Sequence, residues 1–220
     1  MKFNINAPFW QFMTLCTRYF ILNVLFVVTL IPVVTIGPAR AALYSTVFAY
    51  SDNEDINLGR EYLRRFKREF LRGIGSSILF VVVLGAAAFS IVFWNSLDTD
   101  LAYVVLPVLI VVSVLVALTF EYYYPLQARY ENTFLGTLAN AFRMPWAAFG
   151  QTLALIAIDV MAAALIAFTS WMRLAVIILG FSWLAYAKSL ILLRAFARVD
   201  RNSPASTEKP DYSMPTGSIQ

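Results

Sequence analysis

The stretch Ile74–Trp94, IGSSILFVVVLGAAAFSIVFW, decides the fold. It carries no charge, and as a helix it would rise about 31 Å, the thickness of a bilayer's hydrocarbon core. Three further runs match it. Tyr103–Phe120 is uncharged, with Pro107 in its first turns, where a missing N–H costs little. Phe149–Phe168 is interrupted only by Asp159, and Leu174–Leu193 only by Lys188. A fifth run, Tyr19–Ile36, contains Asn23 and closes on Pro32-Val-Val-Thr-Ile-Gly-Pro38.

Composition says the same of the whole chain. Of 220 residues, 60% are hydrophobic, 15% aromatic and 14% charged. Soluble domains sit near 45–50% apolar and about 25% charged, so the excess has to face lipid. The absence of histidine and the single cysteine exclude a His-bearing triad, a histidine zinc site and an intrachain disulfide. Cys16, among apolar neighbours, reads as a packing residue. No phosphate-binding loop and no GxGxxG occurs, so any energy-driven step would need a separate nucleotide-hydrolysing subunit. The net charge of +4 lies in arginines that flank apolar runs, a topology pattern rather than a nucleic-acid face.

Those arginines set direction. Arg60, Arg64, Arg65, Lys67, Arg68 and Arg72 fill 51–73, and Arg129 and Arg143 lie in 121–148. The tail holds Arg194, Arg198, Arg201 and Lys209. The loop 95–102 holds Asp98 and Asp100, and 169–173 holds Arg173 alone. The positive-inside rule therefore puts 51–73, 121–148 and the C-terminus in the cytoplasm. Five spans would leave the N-terminus outside, yet Lys2 and Arg18 argue for inside. A short returning helix over 38–50 resolves the conflict, with Gly37 making the turn and Pro38 starting the helix. Such a helix is too short for lipid and should be enclosed by its neighbours. Ala39-Arg40-Ala41 has the look of a signal cleavage site, but the preceding run is long and Arg40 sits inside the site.

The expected fold is all-α: a polytopic transmembrane bundle in one domain, 1–200, followed by a disordered cytoplasmic tail, 201–220. Its spans are 14–36, 38–50, 74–94, 103–120, 149–168 and 174–193, the second being the short one. Two cytoplasmic amphipathic helices, 57–73 and 126–143, complete it. The first has apolar residues at Leu58, Tyr62, Phe66 and Phe70, the second at Tyr130, Phe134, Leu138 and Phe142. Each suits either an interfacial helix in the headgroup layer or a docking surface for a cytoplasmic partner.

Polar residues inside spans are the candidates for structure or function. Asp159, mid-span, needs a basic partner or a proton, with Arg40 the first choice and Lys188 the second. Asn23 reads as interhelical glue.

Two stretches carry a family resemblance. Asn23 with Leu30-Ile-Pro-Val-Val-Thr-Ile-Gly-Pro-Ala39 and Ala41-Ala-Leu-Tyr44 is one; Tyr123-Tyr-Pro-Leu-Gln-Ala-Arg-Tyr-Glu-Asn132 is the other. Together they resemble the YesL family, bacterial multi-span membrane proteins with a domain of unknown function, over roughly 9–195. The resemblance implies association with carbohydrate ABC importers, near whose genes such proteins are typically encoded, and it implies no activity. It adds Pro32, Tyr44, Tyr124, Pro125, Arg129 and Glu131 to Asn23, Gly37, Pro38, Arg40, Asp159 and Lys188 as candidate residues. No catalytic residue, metal ligand or cofactor is expected. The expected partners are the bilayer, sugar-importer subunits and a second copy of the chain, with no nucleic acid. The expected function is a non-enzymatic accessory of sugar uptake in the cell membrane, both termini cytoplasmic. The alternative is a permease subunit that couples to an ATPase through 126–143, where Glu131 to Gly136 faintly resembles a coupling loop.

Overall fold

The computed structural model describes residues 8–52, 56–97 and 99–202, and every regular element among them is helical. In order these are α1 (Pro8–Leu30), a 3-10 turn (Val33–Thr35), α2 (Ile36–Asp52), α3 (Leu58–Ser96), α4 (Ala102–Arg129) and α5 (Phe134–Ala147). There follow α6 (Phe149–Phe168), α7 (Ser170–Ala175), a π-helical segment (Val176–Gly180) and α8 (Phe181–Asn202). Five helical stretches are long and apolar enough to cross a membrane: those holding Met13–Leu30, Leu58–Ser96, Ala102–Arg129, Phe149–Phe168 and Trp171–Val199. Their outer faces are apolar, with Phe89, Val104, Val160 and Phe168 all well exposed, as lipid-facing surfaces are.

The core gathers around α2. Every residue from 41 to 50 is buried, so this helix is enclosed on all sides. Its glycine, alanines and serine let neighbours come close. Gly37 and Gly73 mark the tightest crossing, between α2 and α3. A Cβ on Gly73 would lie 2.6 Å from the Pro38 nitrogen, and one on Gly37 would lie 2.6 Å from the Gly73 carbonyl oxygen. Small residues at helix crossings are how membrane helices gain van der Waals contact. Tyr124 packs against this crossing with Phe80 and Tyr123 beside it, while Phe196 packs on Phe48 further along α2, all of them nearly fully buried.

Several boundaries differ from those the sequence suggests. The chain does not reverse at Gly37, which sits inside α2; no glycine among the described residues has a positive φ. The reversal is made by Ile31 to Thr35 instead. There the Thr35 hydroxyl reaches the carbonyls of Thr29 and Pro32, each at 2.6 Å. Pro38 lies in the first turn of α2, where its missing N–H would have been an orphan. The expected helix 57–73 and span 74–94 are one uninterrupted helix, started by the Asn57 side chain accepting from the Arg60 N–H at 3.2 Å.

The expected 126–143 helix is broken. Residues 126–129 finish α4, Tyr130 turns extended, and α5 starts afresh with Thr133 as its N-cap. The buried stripe of α3 also drifts from the expected one. It runs Leu58, Tyr62, Arg65, Glu69, Gly73, Ser76 and Phe80. Strict spacing by four rotates about 40° per step and slides off the packed face, whereas alternating fours and threes stay on it. Beyond Asn202 the expected tail lies outside the described residues.

Candidate functional site

Four charged side chains from four helices meet in a line at the bundle's centre. Arg40 of α2 donates from Nη2 to Oε2 of Glu121 on α4 at 2.8 Å. The other oxygen, Oε1, accepts from Lys188 Nζ of α8 at 2.8 Å. The same Nζ sits 2.5 Å from Oδ1 of Asp159 on α6. Cation, anion, cation and anion alternate, and the formal charges cancel. Alternation of this kind is how ionised groups survive in a low-dielectric interior.

Aromatic faces close the arrangement. The Arg40 guanidinium lies 4.4 Å from the Phe120 ring centroid and 5.7 Å from that of Tyr124. Tyr44 approaches Glu121 Oε1 at 3.5 Å. Pro125, one turn beyond Glu121, has no N–H to offer the Glu121 carbonyl, so the helix backbone is loosened at this point.

The line of charges floors a cavity of about 640 Å³ walled by α1, α2, α4, α6 and α8. Its walls are mainly apolar, with Val114, Leu118, Leu155, Ile156, Val160 and Leu184 among them. Beside the charges, α4 and α6 are pinned together where the Tyr122 hydroxyl meets Thr152 Oγ1 at 2.8 Å. Exposure along the line is uneven. Only 6% of the Lys188 side chain and 18% of Arg40 are exposed, against 44% of Asp159.

The expectation that Arg40 partners Asp159 is corrected here. Lys188 holds Asp159, and Arg40 is taken by Glu121. Glu121 is the residue the sequence reading missed. It follows directly on the uncharged run 103–120 and so reads as the first residue of a cytoplasmic segment. The helix continues through it to Arg129, which draws it inside. The contacts of Arg65 with Ser45 and of Glu69 with Gln127 were also missed, because 57–73 reads as a cytoplasmic helix with its charges turned outward. The Glu61–Arg65 pair, by contrast, follows from their spacing by four. Glu69 accepts from Gln127 Nε2 at 3.1 Å, and Arg65 reaches Ser45 Oγ at 2.5 Å and Glu61 at 3.1 Å.

Other candidates stand apart from the charged line. Fully buried Asn23 bridges α1 to the π-helical segment: its Nδ2 donates to the Ile177 carbonyl at 2.7 Å, and its Oδ1 accepts from the Ser182 N–H at 3.0 Å. A π segment displaces helical backbone partners, and Asn23 supplies a donor and an acceptor where they are needed. Arg129 lies over Tyr130 and Phe196 at 5.8 and 5.5 Å. Pro32 is exposed at the reversal, and Glu131 is exposed between α4 and α5. Among the described residues no group of three or more His, Cys, Asp or Glu could hold a metal ion.

Residues 19–91 match a family described as protein of unknown function, DUF624. The match spans the second half of α1, all of α2 and most of α3, so it includes Arg40 and leaves Glu121, Asp159 and Lys188 outside. No curated protein and no solved structure matches the chain.

Proposed function

We propose that this chain is a non-enzymatic accessory of a carbohydrate uptake system in the bacterial cell membrane, with both termini cytoplasmic. The sugar connection rests on the likeness to YesL proteins in the two stretches quoted above. The observation that carries the non-catalytic reading is the mutual pairing of Arg40, Glu121 and Lys188, which leaves Asp159 as the open carboxylate with no second free carboxylate or amine beside it in the line. A general acid or base needs a face turned to a reacting atom. Glu121 instead gives each oxygen to a cation of its own chain, and Lys188 lies between two carboxylates. The orientation is supported by the exposed face of α3's first half, where Arg60, Arg64, Lys67, Arg68 and Arg72 gather. Purification of the chain from its native membrane in mild detergent tests the reading: co-elution of a complete sugar importer is expected. Recovery of the chain without any importer subunit would reject the accessory role.

One observation favours a permease subunit as the second reading. The break at 130–133 leaves Glu131 exposed and begins α5, on which Leu135, Phe142 and Trp146 point away from the bundle. A short helix displayed after a break is a shape an ATPase subunit could grip. Cross-linking from position 135 to an ATPase, with no other membrane subunit present, would favour it over the accessory role.

A further inference from the structure

We infer that the cavity between α4 and α6 binds a neutral amphiphile, with a hydrocarbon chain along its apolar walls and a hydroxyl head that donates to Asp159. Its volume of about 640 Å³ falls within the roughly 300–1,000 Å³ usual for small-molecule sites. The walls select the chain, since Val114, Leu118, Ile156 and Val160 offer nothing to hydrogen-bond.

The floor selects the head. Both cations are covered: Lys188 lies between Glu121 and Asp159, and Arg40 lies between Glu121 and the Phe120 ring. Glu121 has used both oxygens. Asp159 is the open member, 44% exposed, bonded through Oδ1 alone among the described residues. The free group presented to the cavity is therefore an acceptor, which asks for a donor. Because the four formal charges already cancel, an ammonium head would add a buried charge with no counter-ion, and a carboxylate head would repel Asp159. A hydroxyl donates without either cost. The Thr152 hydroxyl, also in the wall, is occupied by Tyr122 and the Pro145 and Ala148 carbonyls and does not compete.

Photolabelling of the full chain in nanodiscs tests this. The probes are dodecanol carrying a diazirine in its chain, and the same chain with an ammonium or a carboxylate head. Peptide mapping should place the dodecanol label on 114–118 and 155–160, saturably and displaced by unlabelled dodecanol. The two charged probes should label these segments about tenfold less. Ala117→Trp, on the exposed cavity rim, should abolish labelling while leaving the protein monodisperse, and Asp159→Asn should lower it about tenfold. If Asp159→Asn does not fold, the head-group series and Ala117→Trp still decide. A diazirine-bearing diacylglycerol in the nanodisc separates the sources. Labelling by it alone assigns a membrane lipid, and labelling by dodecanol alone assigns a free amphiphile; either supports the site. Equal labelling by all three heads, labelling outside the cavity, or none at all overturns it.

Discussion

Glu121 and Lys188, 67 positions apart in the chain, meet at 2.8 Å between α4 and α8. This ion pair and its two extensions join α4 to α8 at the bundle's centre, and Arg129 over the Phe196 ring at 5.5 Å joins them again near the end of α4. Glu121→Gln leaves Arg40 and Lys188 with one counter-charge between them. A loss of roughly 3 kcal/mol is expected, the cost of stranding a buried charge. Lys188→Met should cost a similar amount. The double variant should lose clearly less than the sum, because its remaining charges, Arg40 and Asp159, are the two most exposed. Thermal unfolding in detergent of the four proteins measures the coupling; strict additivity would show that the pair is not coupled.

The Gly37–Gly73 crossing gives a contrast within one helix. Gly73→Ala puts a methyl against the Pro38 backbone, where nothing flexible can yield, and should unfold or severely destabilise the protein. Gly85, on the same helix, has nothing within 4 Å of an added Cβ. Gly85→Ala should be neutral or stabilising by up to about 1 kcal/mol, since alanine is the better helix former. Comparable melting temperatures for the two variants would remove the close-crossing account.

Asn23 secures the π segment of the last span. Asn23→Ala strands the Ile177 carbonyl and the Ser182 N–H, so a loss of about 1–3 kcal/mol is expected. Hydrogen exchange should quicken at 176–183 and stay unchanged at 104–118. Uniform quickening across the chain would mean that Asn23 stabilises the bundle generally and does not act on this segment.

Both termini are expected on the cytoplasmic side. In a Cys16→Ser background, a cysteine at position 2 and another at position 215 should resist a membrane-impermeant maleimide in whole cells. One at position 99, between α3 and α4, should react. Labelling of position 2 from outside would reverse the assignment of the N-terminus and with it the crossing of α2.

The apolar runs alone establish an all-helical chain with five membrane-length helices, because lipid admits few other backbones and about 20 uncharged residues leave little choice. The enclosure of the short helix after Pro38 was also legible, since a helix that short is not at ease in lipid. Helix continuity was not. Asn57–Gly73 reads as a separate interfacial helix because its many basic residues and its apolar stripe contrast with the uncharged run that follows. Arg65 in fact turns inward to Ser45 and Glu61, and Glu69 to Gln127. The buried stripe of a helix depends on which neighbours it meets, and sequence periodicity carries no information about them. The charged line shows the same division. Asp159 and Lys188 stood out inside apolar runs, but Glu121 lay one residue beyond a run and passed for a loop residue. A charge's partner is set by which helices are adjacent and how each is rotated. Only the packing of α2, α4, α6 and α8 therefore decided that Arg40 belongs to Glu121 and Asp159 to Lys188.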